Sequence, residues 1–220
     1  MPRPRLTLFF DIVSPFAYMA FYVTRNSPVF KQCDINYIPI FLGGVMQACG
    51  NTPPIKIKNK DKYIAHDRER SAALFSIPMA TKVPEGFPPN TLPVQRALCT
   101  VQAEHPEKLP EAAAALYQTF WVEGKQIGEL EVVKAGLAKV FGEGKAAEIV
   151  ATVTKPEVKK HLNQNTEAAL ERGAFGLPYF VATDAEGRED VFFGFDRLAM
   201  VVRHLGLKEE GGENGFKALL

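Results

Sequence analysis

The sequence has no C-x-x-C. Its three cysteines, Cys33, Cys49 and Cys99, are odd in number and widely spaced, which excludes a dithiol redox motif and a zinc ribbon. Neither charge is in excess: 26 basic against 25 acidic residues leave a net +1. That balance argues against a nucleic-acid binder, which needs a basic patch or stripe. No apolar run approaches the ~18 residues of a membrane span. Met-Pro-Arg-Pro-Arg before Leu6–Phe10 imitates a signal peptide, but Asp11 and then Ser14-Pro15 interrupt the run, so it reads as a first strand. Asn-x-Ser/Thr acceptors are absent, and Ala218-Leu219-Leu220 lacks the basic middle residue of a peroxisomal signal. An intracellular protein is expected, with cytoplasm, mitochondrion and peroxisome all open. The four histidines are scattered and no metal is expected.

What is present fits a globular enzyme-sized chain. At ~150 residues per domain, 220 residues make about one and a half domains. Leu6-Thr-Leu-Phe-Phe10 predicts a buried strand. Ser14-Pro15 opens a helix, serine being a favoured cap and proline a favoured first residue. That helix is expected to run toward Phe30, and Ile35-Asn-Tyr-Ile38 to form a second strand. Residues 51–62 read as an irregular basic loop, and Pro78, Pro84, Pro88 and Pro89 mark 78–91 as loop. From about 92 to 172 helical spacing dominates. Leu109, Ala112, Ala113, Leu116, Tyr117 and Phe120 share one face, as do Leu130, Val133, Leu137, Val140 and Phe141. Thr154-x-x-Glu157 predicts a capping box and Gly173 the end of its helix. Tyr179–Ala182 and Val191–Phe193 predict a hairpin, followed by a helix over about 196–205. The expected architecture is α/β: a split βαβ…ββα unit with helices inserted. Its boundaries would be 1–45 and 173–208 for the sheet unit and 46–172 for the helical insertion, with 209–220 a mobile tail.

Two stretches invite chemistry. Gly142-Glu-Gly144-Lys-Ala-Ala147 matches a loose dinucleotide pattern, but that fingerprint needs a preceding strand and here a helix precedes it. The stretch Phe10-Asp-Ile-Val-Ser14-Pro15-Phe16-Ala-Tyr18 sits at a strand-to-helix junction. Ser14 could do no more than cap its helix. The same place also presents free N–H groups and partial positive charge to an anion such as a thiolate. Further on, a proline at the entry of a strand, Pro178, needs a reason. A cis bond would supply one, although 16 prolines at ~5–6% cis predict only about one such bond anywhere in the chain.

Together these motifs resemble the kappa-class glutathione transferases and the glutathione-dependent 2-hydroxychromene-2-carboxylate isomerases. Phe9–Tyr18 carries the likeness, as do Gly43-Gly-Val-Met46 leading to Gly50-Asn51-Thr-Pro-Pro54, Gly173-Ala-Phe-Gly176-Leu177-Pro178, and Phe193-Gly-Phe195-Asp196-Arg197. The resemblance spans about residues 6–205. It implies a thioredoxin-like fold of the DsbA kind, interrupted by a helical domain, with Ser14-Pro15-Phe16-Ala17 where the disulfide oxidases keep C-x-x-C. The reactive thiol would then come from bound glutathione, with a small electrophile as second substrate and a homodimer as the assembly. The implied catalytic residue is Ser14, donating to the glutathione sulfur, with Pro15 and Phe16 flanking it. Asn51 and Lys60 would lie near the glycyl end. Leu177, before a cis Pro178, would pair with the cysteinyl unit, and Phe195 and Asp196 would hold the γ-glutamyl end. Kappa enzymes often carry serine at the Phe195 position, and Tyr18 and the Gly-Gly-Val-Met stretch lean toward the isomerases. Transferase, isomerase and non-enzymatic ligand binder thus stand as alternatives.

Overall fold

The computed structural model describes residues 2–208; the tail expected over 209–220 lies outside them. A four-stranded mixed sheet forms the centre. β1 (Arg5–Phe10) runs parallel to β2 (Asp34–Pro39) and antiparallel to β3 (Tyr179–Thr183), which pairs with β4 (Glu189–Phe193), giving the order β2-β1-β3-β4. Alternation decides the faces. Leu6, Leu8 and Phe10 point to one side and are fully buried. There Phe10 and Tyr37 meet Phe21 of α1 (Pro15–Asn26), and Phe192 meets His204 of α9 (Leu198–His204).

Between β2 and β3 the chain builds α2 (Leu42–Ala48), α3 (Lys60–Leu74), α4 (Leu92–Glu104), α5 (Leu109–Tyr117), α6 (Leu130–Phe141), α7 (Glu143–Ala151) and α8 (Pro156–Glu171). One continuous apolar core joins these helices to the sheet. The expected α/β class with inserted helices is what is seen.

Several local expectations need correction. The first helix stops at Asn26, where Pro28 starts a short 3₁₀ turn over Pro28–Gln32. The basic loop holds a 3₁₀ turn, Pro54–Lys56, and the start of α3. The helix begun at Leu109 passes into a π turn over Gln118–Val122. The predicted capping box does not form: Lys155 is the cap of α8 and Pro156 its first residue, with no side-chain cap bond. Gly173 does end that helix, in the left-handed region at φ +85°.

Candidate active site at the start of the first helix

Ser14 is the cap of α1, in extended conformation, and is 6% exposed. Its Oγ accepts the Ala17 N–H at 3.2 Å, and its carbonyl accepts the Tyr18 N–H at 3.0 Å. Capping therefore uses the oxygen's lone pair. The hydroxyl proton has no acceptor among the described residues and is available to an outside one. No acidic residue stands in the first turn of α1. The capping reading and the anion-binding reading of Ser14 are compatible.

The turn that carries Ser14 is held from several sides. Asp11 is fully buried beneath it; its carboxylate accepts the Val13 N–H at 3.1 Å, the Leu42 N–H at 2.9 Å and the Thr91 hydroxyl at 3.0 Å. Burial pushes the Asp11 carboxyl up to about 6, against the lowering effect of those donors. Its backbone carbonyl accepts the Ser14 N–H at 3.1 Å and the Tyr117 hydroxyl at 3.3 Å. Trp121 Nε1 donates to the Ile12 carbonyl at 2.9 Å. Gln95 Nε2 donates to the carbonyls of Phe10 and Ile40 at 3.0 and 2.8 Å. Tyr18, next along α1, donates its hydroxyl to the Pro78 carbonyl at 2.8 Å.

The other implied site residues come to the same end of the sheet by strand register. Tyr179 stands opposite Phe9 and Phe193, so Leu177-Pro178 lies beside the end of β1. The Leu177–Pro178 bond is cis, as is Phe87–Pro88. The Pro178 carbonyl accepts the Gly194 N–H at 3.0 Å, which fixes the 195–196 pair next to it. Asn51 Nδ2 donates to the Phe175 carbonyl at 2.7 Å. Gly176 beside it sits against the Phe193 ring, which a Cβ there would approach to 2.9 Å. Pro15 and Phe16 form the first turn of α1, with Phe16 partly buried against the core.

Two side chains, those of Lys60 and Phe195, take no part in this convergence. Lys60 is exposed at the start of α3, and no side-chain bond ties it to the others. Phe195 is 3% exposed and packs edge-on against Phe75, ring centres 5.1 Å apart; its side chain is core, so any ligand contact there falls to the backbone. Asp196 is exposed and pairs with Arg197.

Two of the chain's own thiols, Cys33 and Cys99, sit poorly for chemistry. Burial pushes Cys33 up to about 11 and Cys99 up to about 12. Cys49 is exposed, near the Ala174 carbonyl. Among the described residues no group of three His, Cys, Asp or Glu side chains could hold a metal ion, and no helix is long and apolar enough to cross a membrane.

Asp11, Thr91, Gln95, Tyr117 and Trp121 escaped the reading of the sequence as site residues. Tyr117 was legible only as part of an apolar helix face, and Asp11 as a break in an apolar run and a member of the Phe9–Tyr18 motif with no role of its own.

Known proteins are similar to this chain in sequence and fold. The family described as DSBA-like thioredoxin domain matches residues 5–206. Glutathione S-transferase kappa 1 of Homo sapiens is 30% identical over 96% of this chain and 95% of its own. The 2-hydroxychromene-2-carboxylate isomerase of Pseudomonas putida is 26% identical over 90% of this chain and 92% of its own. A solved 2-hydroxychromene-2-carboxylate isomerase superposes with a TM-score of 0.73 at 23% identity, covering 92% of this chain and 94% of that one. With the match running through nearly every described element, the chain belongs to the DSBA-like thioredoxin domain family and is similar to kappa glutathione transferases.

Proposed function

We propose that the protein is a glutathione transferase of the kappa type, which ionises bound glutathione at the start of α1 for attack on small electrophiles. One observation carries the reading: Ser14 caps the helix through its lone pair and keeps its hydroxyl proton free. A cysteine-type thiol with a pKa of ~8.5 is only ~3% thiolate at pH 7. Lowering it by two units takes ~2.7 kcal/mol. One hydrogen bond to a charged group, ~1.5–3 kcal/mol, with a helix terminus at ~0.3–1, supplies that amount.

In this reading Ser14 donates to the sulfur and α1 stabilises the negative charge. The Leu177 backbone, beside the cis Pro178, orients the cysteinyl unit. Asn51 and Lys60 face the glycyl end. The backbone at Phe195 and the carboxylate of Asp196 face the γ-glutamyl end. The clamp on residues 10–14 keeps Ser14 in place, so that positioning is prepaid before binding. Kappa relatives at 30% identity support the transferase assignment. The assembly implied by that kinship is a homodimer, which sedimentation of the purified chain tests.

The deciding experiment follows conjugation of a chlorodinitrobenzene-type substrate together with the pH dependence of the bound thiol. Wild type should conjugate with a thiol pKa well below that of free glutathione. Equal activity and an equal thiol pKa in Ser14→Ala would remove Ser14 from its role.

The kinship with an isomerase at 26% identity favours a second reading, in which the thiolate adds to a conjugated substrate, permits rotation and leaves again. Glutathione is consumed in the first reading and recovered in the second, so its balance over the reaction separates them.

A further inference from the structure

α3 is a polar helix whose only buried residues are Arg68 and Ala72. Arg68 is 3% exposed. Its Nη2 donates to the Thr81 carbonyl, and its guanidinium carbon lies 5.8 Å from the centre of the Trp121 ring. Its Nε and Nη1 are buried with no hydrogen-bond partner among the described residues. No carboxylate forms an ion pair with it there. Glu69, its neighbour in sequence, is exposed, and consecutive helical residues do not face each other. A buried charge with two unmet donors and no ion pair is among the more costly arrangements in a folded protein, and a partner that meets those donors is expected.

A cavity of about 390 Å³ opens beside it, within the size range of small-molecule sites. Its most buried lining residues are Arg68, Ile77 and Ala72, which make the floor; Glu69, Ala73 and Ser76 stand exposed at the mouth. Met79 and Ala80 complete an apolar wall, with Thr81 beside the guanidinium. Ordered water needs two to four polar partners, and this wall offers few. An organic acid with an apolar body matches both halves: a carboxylate for the guanidinium, whose forked donors suit it, and a hydrocarbon for Ala72, Ile77 and Met79.

We propose that this cavity binds a small apolar carboxylate, with Arg68 as its anchor. The site is distinct from the glutathione residues and does not depend on that assignment. Trp121 reports on it, because the ring that Arg68 covers is the chain's single tryptophan.

Titrate the full chain with benzoate, without glutathione, following heat and tryptophan fluorescence, and compare benzamide and inorganic phosphate. Benzoate should saturate and bind about ten-fold or more tighter than benzamide, the difference expected of a charge-assisted contact, while phosphate should compete poorly. Arg68→Gln should abolish the preference for benzoate. Ala73→Phe fills the mouth at an exposed position without touching the guanidinium, leaves Trp121 the single tryptophan, and should weaken benzoate binding by about ten-fold or more. It keeps the test decisive if Arg68→Gln fails to fold. Equal binding of benzoate and benzamide, absence of saturable benzoate binding, or benzoate binding unchanged in the variants overturns the proposal. Phosphate competing as well as benzoate overturns the carboxylate assignment.

Discussion

Gln95 reaches from α4 to the last carbonyl of β1, that of Phe10, at 3.0 Å. The same amide nitrogen bonds the Ile40 carbonyl just past β2, so one side chain of the inserted helices ties two parallel strands together where the site begins. In Gln95→Leu the Phe10 carbonyl keeps its bond from the Ile40 N–H, but the Ile40 carbonyl loses its donor. The expected loss is ~1–3 kcal/mol of stability in urea unfolding, accompanied by weaker glutathione binding in calorimetry.

Ser14→Ala should act twice. Losing the cap bond to Ala17 costs about 1 kcal/mol of stability. Losing the donor to sulfur should lower kcat/KM for conjugation by about ten- to a hundred-fold and move the pH–rate profile to higher pH. A stability loss with an unmoved profile would leave Ser14 as a helix cap alone.

Asp11 makes stability depend on pH in a defined direction. Its carboxyl is raised from 3.8 to about 6 in the folded chain. Between these values the folded chain holds a proton that the unfolded chain has released. Stability from this group is therefore fully present below about 4, falls as pH rises, and levels off above about 6. The change across that window is ~3 kcal/mol. Asp11→Asn should remove this slope, which the difference between the two unfolding profiles measured from pH 4 to 7 reads directly.

Phe195→Ser restores the residue many kappa enzymes carry and should not improve the protein. Phe195 is buried against Phe75, and removing such a ring costs ~3–5 kcal/mol. Thermal unfolding should drop steeply. Glutathione affinity that rises in a still-folded variant would show instead that a hydroxyl is what the site lacks.

Much of the fold was legible because it is written locally. Ser14-Pro15 announces α1 through cap chemistry, the apolar spacing from Leu109 announces α5, and Gly173 ends α8 in a conformation that suits glycine. Other elements leave no such mark. α2 contains Gly43 and Gly44, poor helix residues, and α3 buries only Arg68 and Ala72, so it has no apolar face to betray its period. The site divides in the same way. Ser14 was visible from its neighbours. Its supports were not, because Thr91, Gln95, Tyr117 and Trp121 act on residues 10–12 across eighty or more positions of sequence, and no local pattern encodes that pairing.

The chain returns to the end of β1 several times, at Ile40 to Asn51, at Gln95, at Tyr117 to Trp121, at Phe175 to Pro178 and last at Gly194 to Asp196. During synthesis Ser14 is made well before Pro178 and Asp196. A nascent chain halted before β4 would already hold the helix start, yet it would lack the Gly194 N–H that meets the Pro178 carbonyl. The backbone tie that holds Pro178 beside Gly194 thus waits for β4, long after the start of α1 has been made.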